Sequence, residues 1–157
     1  MISDDVDFDK QAALTSNADA ARFLQEHLGQ RLTAYICGLK DAKTVGRWAS
    51  GQVSPREGAS LRLRLAFSAA LGLVAAYGSE TARSWFVGTN ATLGDSPAWL
   101  LRHGRDLDDL RMLVPVAREF ASAGIEQRRQ SPRSRLRGGG RAGDARTGAA
   151  EKARSRR

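Results

Sequence analysis

Residues 28–51 read LGQRLTAYICGLKDAKTVGRWASG, and this stretch decides the fold of the chain. Its first part predicts a short helix over residues 30–37, and Gly38 suits the left-handed backbone position that follows such a helix. Its second part predicts another short helix over residues 42–50, with Asp41 placed to cap its start. Two short helices joined by a tight turn are typical of a helix-turn-helix unit.

The second of these helices has an apolar side and a basic side. Val45 and Trp48 lie three residues apart and are predicted to anchor it, while Ala34 supplies the small residue where the two helices face each other. The opposite side is predicted to contact DNA, because Lys and Arg can grip guanine or phosphate and Thr a phosphate or a thymine methyl. The candidate DNA-binding residues are Lys40, Lys43, Thr44, Arg47 and Ser50.

The pattern alone leaves a second interpretation open. A helical hairpin packed in a core, with Lys and Arg as a solvated face, has the same spacing. The turn is also one residue longer than in the commonest phage-repressor arrangement.

Helices are predicted on both sides of this unit within the N-terminal half. Residues 1–15 are acidic and weakly periodic and are predicted to be flexible. Asn17 is the predicted cap of the helix before the quoted stretch. Downstream, Ser54 is the predicted cap and Pro55 the first residue of a long, buried helix that ends near Tyr77.

The C-terminal half predicts further short helices. Ser79 and Ser96 are placed to cap the first two, and Asp106 the last one. Pro115 conflicts with an unbroken last helix, so we expect a kink there or a short helix followed by a restart. Nothing alternates with the period of a strand.

The positive charge is concentrated at the C-terminus. The 157-residue chain carries a net +8. Residues 128–157 contain eleven Lys and Arg against two acids, a net +9, so the rest of the chain sums to −1. With almost no large apolar side chains, residues 127–157 are predicted to be disordered. Two interpretations of this tail stay open: sequence-independent binding of nucleic acid, or a solvated extension that has no task or that aids the binding of a protein partner.

The chemistry of an enzyme is not evident in the sequence. Cys37 is the single cysteine, which suits a reducing compartment. His27 and His103 have no Cys or His neighbours at metal-ligand spacing. We therefore expect no metal, no cofactor and no catalytic residue. The acidic start is unlike a secretory signal and residues 65–77 are too short to span a bilayer, so a cytoplasmic protein is expected.

Two signatures, the first of which begins inside the quoted stretch, point to a known family. The first combines V-x-x-W-x-x-G with P-x-x-x-A-x-x-R-L-R, at Val45, Trp48, Gly51, Pro55, Ala59, Arg62, Leu63 and Arg64. The second is A-x-x-W-x-x-x-x-N-x-x-L-G-x-x-P-x-x-x-L, at Ala82, Trp85, Asn90, Leu93, Gly94, Pro97 and Leu101. Over residues 17–123 the chain resembles the Xre/MbcA/ParS family of toxin–antitoxin antitoxins.

This resemblance implies a partner and a second site. Such antitoxins bind a partner toxin, commonly of the RES type, which destroys cellular NAD. They pair or oligomerise, and the complex commonly represses its own operon by binding operator DNA. The candidate toxin-binding residues are Trp85, Asn90, Leu93, Gly94, Pro97, Trp99 and Leu101. The tryptophans have an alternative interpretation as core aromatics.

Together these observations predict an all-α protein. We expect an Xre-like helix-turn-helix domain over residues 16–78 and a small helical toxin-binding domain over residues 79–126, flanked by the flexible segments 1–15 and 127–157. The hypothesis is an antitoxin of a type II system that acts as a homodimer or in a higher hetero-oligomer with its toxin. The alternative is a stand-alone helix-turn-helix regulator or a nucleoid-associated protein.

Overall fold

The computed structural model describes residues 7–130, and this part of the chain is helical without any strand. The predicted all-α class is confirmed. The helices, in chain order, are α1 (Phe8–Leu14), α2 (Asn17–His27), α3 (Gln30–Ile36), α4 (Lys43–Ala49), α5 (Glu57–Tyr77), α6 (Ser79–Val87), α7 (Pro97–His103), α8 (Leu107–Arg111) and α9 (Leu113–Gln130).

Residues 7–125 form one compact unit around a single hydrophobic core. The core takes Leu24 from α2, Phe67 from α5, Phe86 from α6, Leu101 from α7 and Leu113 from α9. Helices on both sides of the predicted domain boundary at residues 78 and 79 therefore bury their apolar side chains against one another. Residues 126–130 continue α9 and belong to a second unit.

Helix α5 lies at the centre of this unit. It contacts α1, α2, α3, α6 and α7. It is also long and apolar enough to cross a bilayer, with a mean hydropathy of 1.4, but half of that stretch is buried inside the fold. Burial by neighbouring helices is what an apolar helix requires in a protein core.

The predicted flexible N-terminus is wrong for residues 8–14, which form α1. The Asp7 carboxylate accepts a hydrogen bond from the backbone N–H of Lys10 and so caps the helix. Phe8 packs against the core, and the Asp9 carboxylate pairs with Arg118 of α9 at 2.6 Å. This helix is stabilised by partners far away in sequence, which explains why its local pattern did not predict it.

Several predicted helix starts are wrong by one or two residues. Ser16, not Asn17, caps α2 by accepting from the N–H of Asp19. Helix α5 starts at Glu57 after extended Arg56, so Pro55 lies outside it and Ser54 does not cap it. Ser79 is already helical in α6 and its Oγ lies 2.7 Å from Nδ1 of His27. In α2 and α6 the predicted capping side chain makes a tertiary hydrogen bond instead.

The last predicted starts are confirmed. The Ser96 hydroxyl accepts a hydrogen bond from the backbone N–H of Trp99 at the start of α7. The Asp106 carboxylate accepts one from the backbone N–H of Asp108 at the start of α8. The predicted restart near Pro115 is also observed, since α9 begins at Leu113 and places the proline in its first turn, where a backbone N–H would donate no intrahelical hydrogen bond. Residues 127–130 are helical, contrary to prediction, and the predicted disorder of 131–157 lies outside the described residues.

Candidate nucleic-acid interface and partner surface

The three residues predicted to pack helices α3 and α4 together are all buried. Val45 is fully buried, Trp48 is 3 % exposed and Ala34 is 4 % exposed. Gly38 has φ +76°, and the N–H groups of Gly38 and Leu39 close the end of α3 by donating to Tyr35 and Ala34. Truncation of a buried tryptophan to alanine lowers the free energy of unfolding by about 3–5 kcal/mol. Burial of Trp48 therefore fixes α4 firmly on the core.

The approach of α4 to α3 is close at Gly46. A Cβ added to this glycine would lie 3.0 Å from the amide nitrogen of Gln30, whose side chain donates to Gln25. The predicted cap of α4, Asp41, lies one residue before the observed cap, because α4 begins at Lys43 after Ala42, which makes no side-chain capping bond. The Asp41 carboxylate accepts a hydrogen bond of 2.9 Å from the N–H of Lys43. The start of α4 and its packing distance are therefore both set by local side chains.

The opposite side of α4 faces solvent. Lys40, Lys43, Arg47 and Ser50 are exposed, and Thr44 is half-buried. None of the three basic side chains pairs with an acidic residue within residues 7–130. Ser50 differs from the others because its hydroxyl donates to the carbonyl of Arg47 at 3.1 Å. The structure thus brings the predicted DNA-binding residues onto one side of α4 and the turn before it.

Arg62 and Arg64, the arginines of the first signature, are engaged inside the fold. Arg62 donates from Nε to the carbonyl of Leu101 at 2.6 Å, and also to the carbonyls of Gly58 and Gly104. Arg64 donates to the carbonyls of Ala12 and Thr15 at 3.1 and 2.8 Å. Both arginines supply donors to the carbonyls at the ends of other helices, so their role here is structural.

Asn90 and Gly94 organise the loop between α6 and α7. The Asn90 side-chain oxygen accepts from the N–H groups of Thr92 and Leu93. Its backbone N–H donates to Asp95, and its carbonyl accepts from Gly94. Gly94 has φ +86°, a conformation that glycine adopts without strain. These two candidate toxin-binding residues form the turn, and the side chain of Leu93 packs against the core.

Three other candidate toxin-binding residues are buried. Leu101 is fully buried, Pro97 is among the fully buried side chains, and Trp85 is 9 % exposed. The Trp85 indole N–H has no acceptor within residues 7–130. These buried residues can support a partner surface without contacting the partner. Among the candidate toxin-binding residues, only Trp99, which is 44 % exposed, offers a large side chain to a partner.

Trp99 belongs to an exposed cluster that the sequence did not predict. Its ring lies 4.8 Å from that of His103, which in turn lies 6.4 Å from Tyr35 on α3. The Arg102 guanidinium lies 4.7 Å from the centre of the Tyr35 ring, and its Nη1 donates to the Tyr35 carbonyl at 2.8 Å. We name Tyr35, Trp99, Arg102 and His103 the aromatic–arginine cluster. The one sequence signal for this cluster was the spacing of Trp99 and His103, because side chains four residues apart on a helix can contact each other.

A separate open groove lies between α3 and α6. Its volume is 690 Å³, and its lining includes Leu28, Arg31, Arg83 and Val87. Val87 is 60 % exposed, and neither arginine pairs with an acidic side chain within the described residues. This groove is a second candidate surface for a partner.

Two observations concern metal-ligating and nucleophilic side chains in the described part. Within residues 7–130, no group of three His, Cys, Asp or Glu side chains is placed to hold a metal ion. Burial raises the pKa of the Cys37 thiol to about 12, against a smaller opposing effect of the Arg62 charge. A thiol with such a pKa stays protonated and is a poor nucleophile at neutral pH.

Comparison of the chain with protein-family models, with curated proteins and with solved structures gave no match.

Proposed function

We propose that the protein is a DNA-binding antitoxin, which neutralises a RES-type NAD-degrading toxin and represses its own operon. The observation that carries the DNA-binding part is the division of α4 into two sides. Val45 and Trp48 are buried against the core, whereas Lys43 and Arg47 are exposed and unpaired within the described residues. A helix seated in this way presents a fixed set of donors to the major groove.

The charges around α4 favour a nucleic acid over a protein as the partner of this side. Lys40, Lys43 and Arg47 are free to bind phosphates or the acceptor atoms of guanine, and Thr44 lies beside them. The nearest acid in sequence, Asp41, has its carboxylate bonded to the N–H of Lys43. A single seven-residue helix reads few base pairs, so we propose a homodimer that places two α4 helices one turn of DNA apart.

The antitoxin part rests on the family resemblance of residues 17–123. Two features of the fold support it. The loop after α6 is tightly hydrogen-bonded around Asn90, and the adjacent helix α7 exposes Trp99. An exposed tryptophan on a rigid element is a common anchor of protein–protein interfaces.

The DNA-binding part is tested with Arg47→Ala. If Arg47 contacts a base, the variant should lose on the order of 1–3 kcal/mol of affinity for the operator, which lies in the promoter region of the gene itself. Arg111→Ala, an exposed arginine on α8, removes the same charge elsewhere and should bind DNA as the wild type does. Equal affinity of the Arg47→Ala variant and the wild type in a gel-shift titration would place DNA recognition outside α4.

The antitoxin part predicts a RES-type reading frame next to the gene of this chain, and it is tested by co-expression of the two. Growth should be restored when both proteins are made. Continued toxicity despite soluble antitoxin would remove the assignment and favour a stand-alone helix-turn-helix regulator. In that case operator binding by α4 would be retained, so the two parts of the proposal fail separately.

A further inference from the structure

The aromatic–arginine cluster is ordered before any partner arrives. Arg102 is held by a hydrogen bond to the Tyr35 carbonyl and by its position over the Tyr35 ring. His103 lies against Trp99 on the next turn of α7. Side chains that are already fixed lose little conformational entropy on binding, which is a property of interface anchors.

The cluster also carries charge that the fold does not neutralise. Arg102 has five N–H donors, and one of them is bonded to the Tyr35 carbonyl. No acidic side chain within residues 7–130 pairs with it. A partner that offers a carboxylate would therefore complete an ion pair with a guanidinium that is already oriented.

The composition of the cluster matches a protein partner better than a nucleic acid. Tryptophan, tyrosine and arginine are the residues most enriched at protein-binding hot spots. Stacking of bases needs free aromatic faces. Here Arg102 lies over the face of Tyr35, and His103 leans on Trp99.

We propose that the aromatic–arginine cluster is the surface that binds an acidic patch of the toxin. This inference rests on the proposed antitoxin function and deepens it. Trp99 fills an apolar pocket of the toxin, and Arg102 pairs with a carboxylate beside that pocket. Because Tyr35 belongs to α3, the toxin touches the helix-turn-helix unit as well as α7.

The test is a calorimetric titration of the full-length chain with the purified RES-type toxin encoded next to it. Trp99→Ala and Arg102→Ala should each weaken binding on the order of tenfold to a hundredfold, the size expected of hot-spot residues. Arg102→Lys keeps the charge but loses the planar fork, so it should restore only part of the affinity. The Arg102→Ala variant should also show a weaker dependence of affinity on salt.

A matched control and a variant of the alternative surface separate the cluster from a general loss of exposed side chains. Phe120→Ala, the control, removes a 42 % exposed aromatic from α9. Arg83→Ala removes an exposed arginine from the groove between α3 and α6, the other candidate partner surface, and so tests that alternative. Both should bind the toxin like the wild type, once thermal melts show that all variants are folded.

The outcomes distinguish this inference from the function on which it rests. If the wild type binds the toxin and the Trp99 and Arg102 variants bind equally well, the cluster is not the surface and the antitoxin function stands. Weakening by Arg83→Ala alone would assign the toxin to the groove and overturn the inference. Loss of single-stranded oligonucleotide binding in the Trp99 variant, with unchanged toxin binding, would make the cluster a nucleic-acid surface. Absence of wild-type binding would overturn both proposals.

Discussion

Gly124 marks the closest contact between α9 and the end of α5. A Cβ at this position would overlap the ring and hydroxyl of Tyr77, whose hydroxyl donates to the carbonyl of Phe120 at 2.9 Å. The absence of a side chain at residue 124 therefore allows the two helices to approach.

We predict opposite effects for two identical substitutions in helices. Gly124→Ala should destabilise the protein by about 1–3 kcal/mol, because Tyr77 must move. Gly72→Ala should stabilise it by about 0.5–1 kcal/mol, because glycine inside a helix is unfavourable relative to alanine. The added Cβ would also fit, since its nearest neighbour, the Ala121 Cβ, would lie at an ordinary contact distance of 3.6 Å. Urea unfolding of both variants measures the difference, and equal effects would contradict the packing at residue 124.

At the scale of single residues, the sequence predicted the inner side of α4 better than the partner surface. Val45 and Trp48 could be recognised because their spacing and the Gly38 turn constrain one another. Trp85 and Trp99 have no such constraint in the sequence. Whether each is buried depends on the packing of α6 and α7, which no local pattern contains.

Arg62 ties α5 to the end of α7. Its guanidinium donates to the carbonyls of Leu101 and Gly104. Leu101 lies in the last turn of α7, and Gly104 follows that turn. We predict that Arg62→Lys destabilises the protein by about 1–3 kcal/mol, since an ammonium group cannot reach three carbonyls at once and a carbonyl loses its donor. Arg56→Lys, at an exposed position just before α5, is the control and should unfold at the wild-type temperature.

An ion pair between Asp9 and Arg118 joins helix α1 to α9. The hydrogen bond from Arg118 holds the pKa of the Asp9 carboxyl below its ordinary value of 3.8. A carboxyl with a lowered pKa in the folded state contributes stability above that ordinary value, and this contribution is lost as the pH falls through the folded-state pKa.

We therefore predict that Asp9→Asn lowers stability at neutral pH and has progressively less effect as the pH falls below 3.8. Thermal melts of the variant and the wild type should converge in acid. Asp19→Asn provides a matched comparison, since Asp19 pairs with Arg22 in the same helix, two exposed side chains three residues apart. A constant difference between the Asp9 variant and the wild type at all pH values would show that the ion pair is not the cause.

At the scale of helices, the sequence predicted the described helices apart from α1, but not where several of them begin. Asn17 and Ser79 carry side chains suited to capping, yet the first donates to Ser60 and the second lies 2.7 Å from His27. Local capping and tertiary hydrogen bonds compete for the same polar atoms. The competition is decided by partners that lie far along the chain, 43 positions away for Asn17 and 52 positions away for Ser79.

The distribution of charge concerns the whole molecule. Residues 131–157 contain nine Lys and Arg and two acids, whereas residues 1–127 sum to −1. If the basic tail binds DNA phosphates, a chain that ends at Gln130 should bind the operator with a shallower dependence on salt. The logarithmic slope should fall by about 0.9 for each phosphate that the tail neutralises in the full-length chain. An unchanged slope would assign the entire electrostatic contribution to the folded part.

The packing of the whole unit could not be read from the two family signatures. They predicted separate domains over residues 16–78 and 79–126, but α2, α5, α6 and α7 contribute to one core. A sequence shows which faces are apolar, while the choice of partner face depends on how all the helices fit together. The aromatic–arginine cluster, built from α3 and α7, is a product of that arrangement.

The three tryptophans give this protein a built-in optical reporter. Trp48 and Trp85 are 3 % and 9 % exposed, whereas Trp99 is 44 % exposed. In the folded chain, a small quencher such as acrylamide should reach mainly the fluorescence of Trp99. Its emission can therefore report on the surface of α7 without any label, while the emission of the other two follows the integrity of the core.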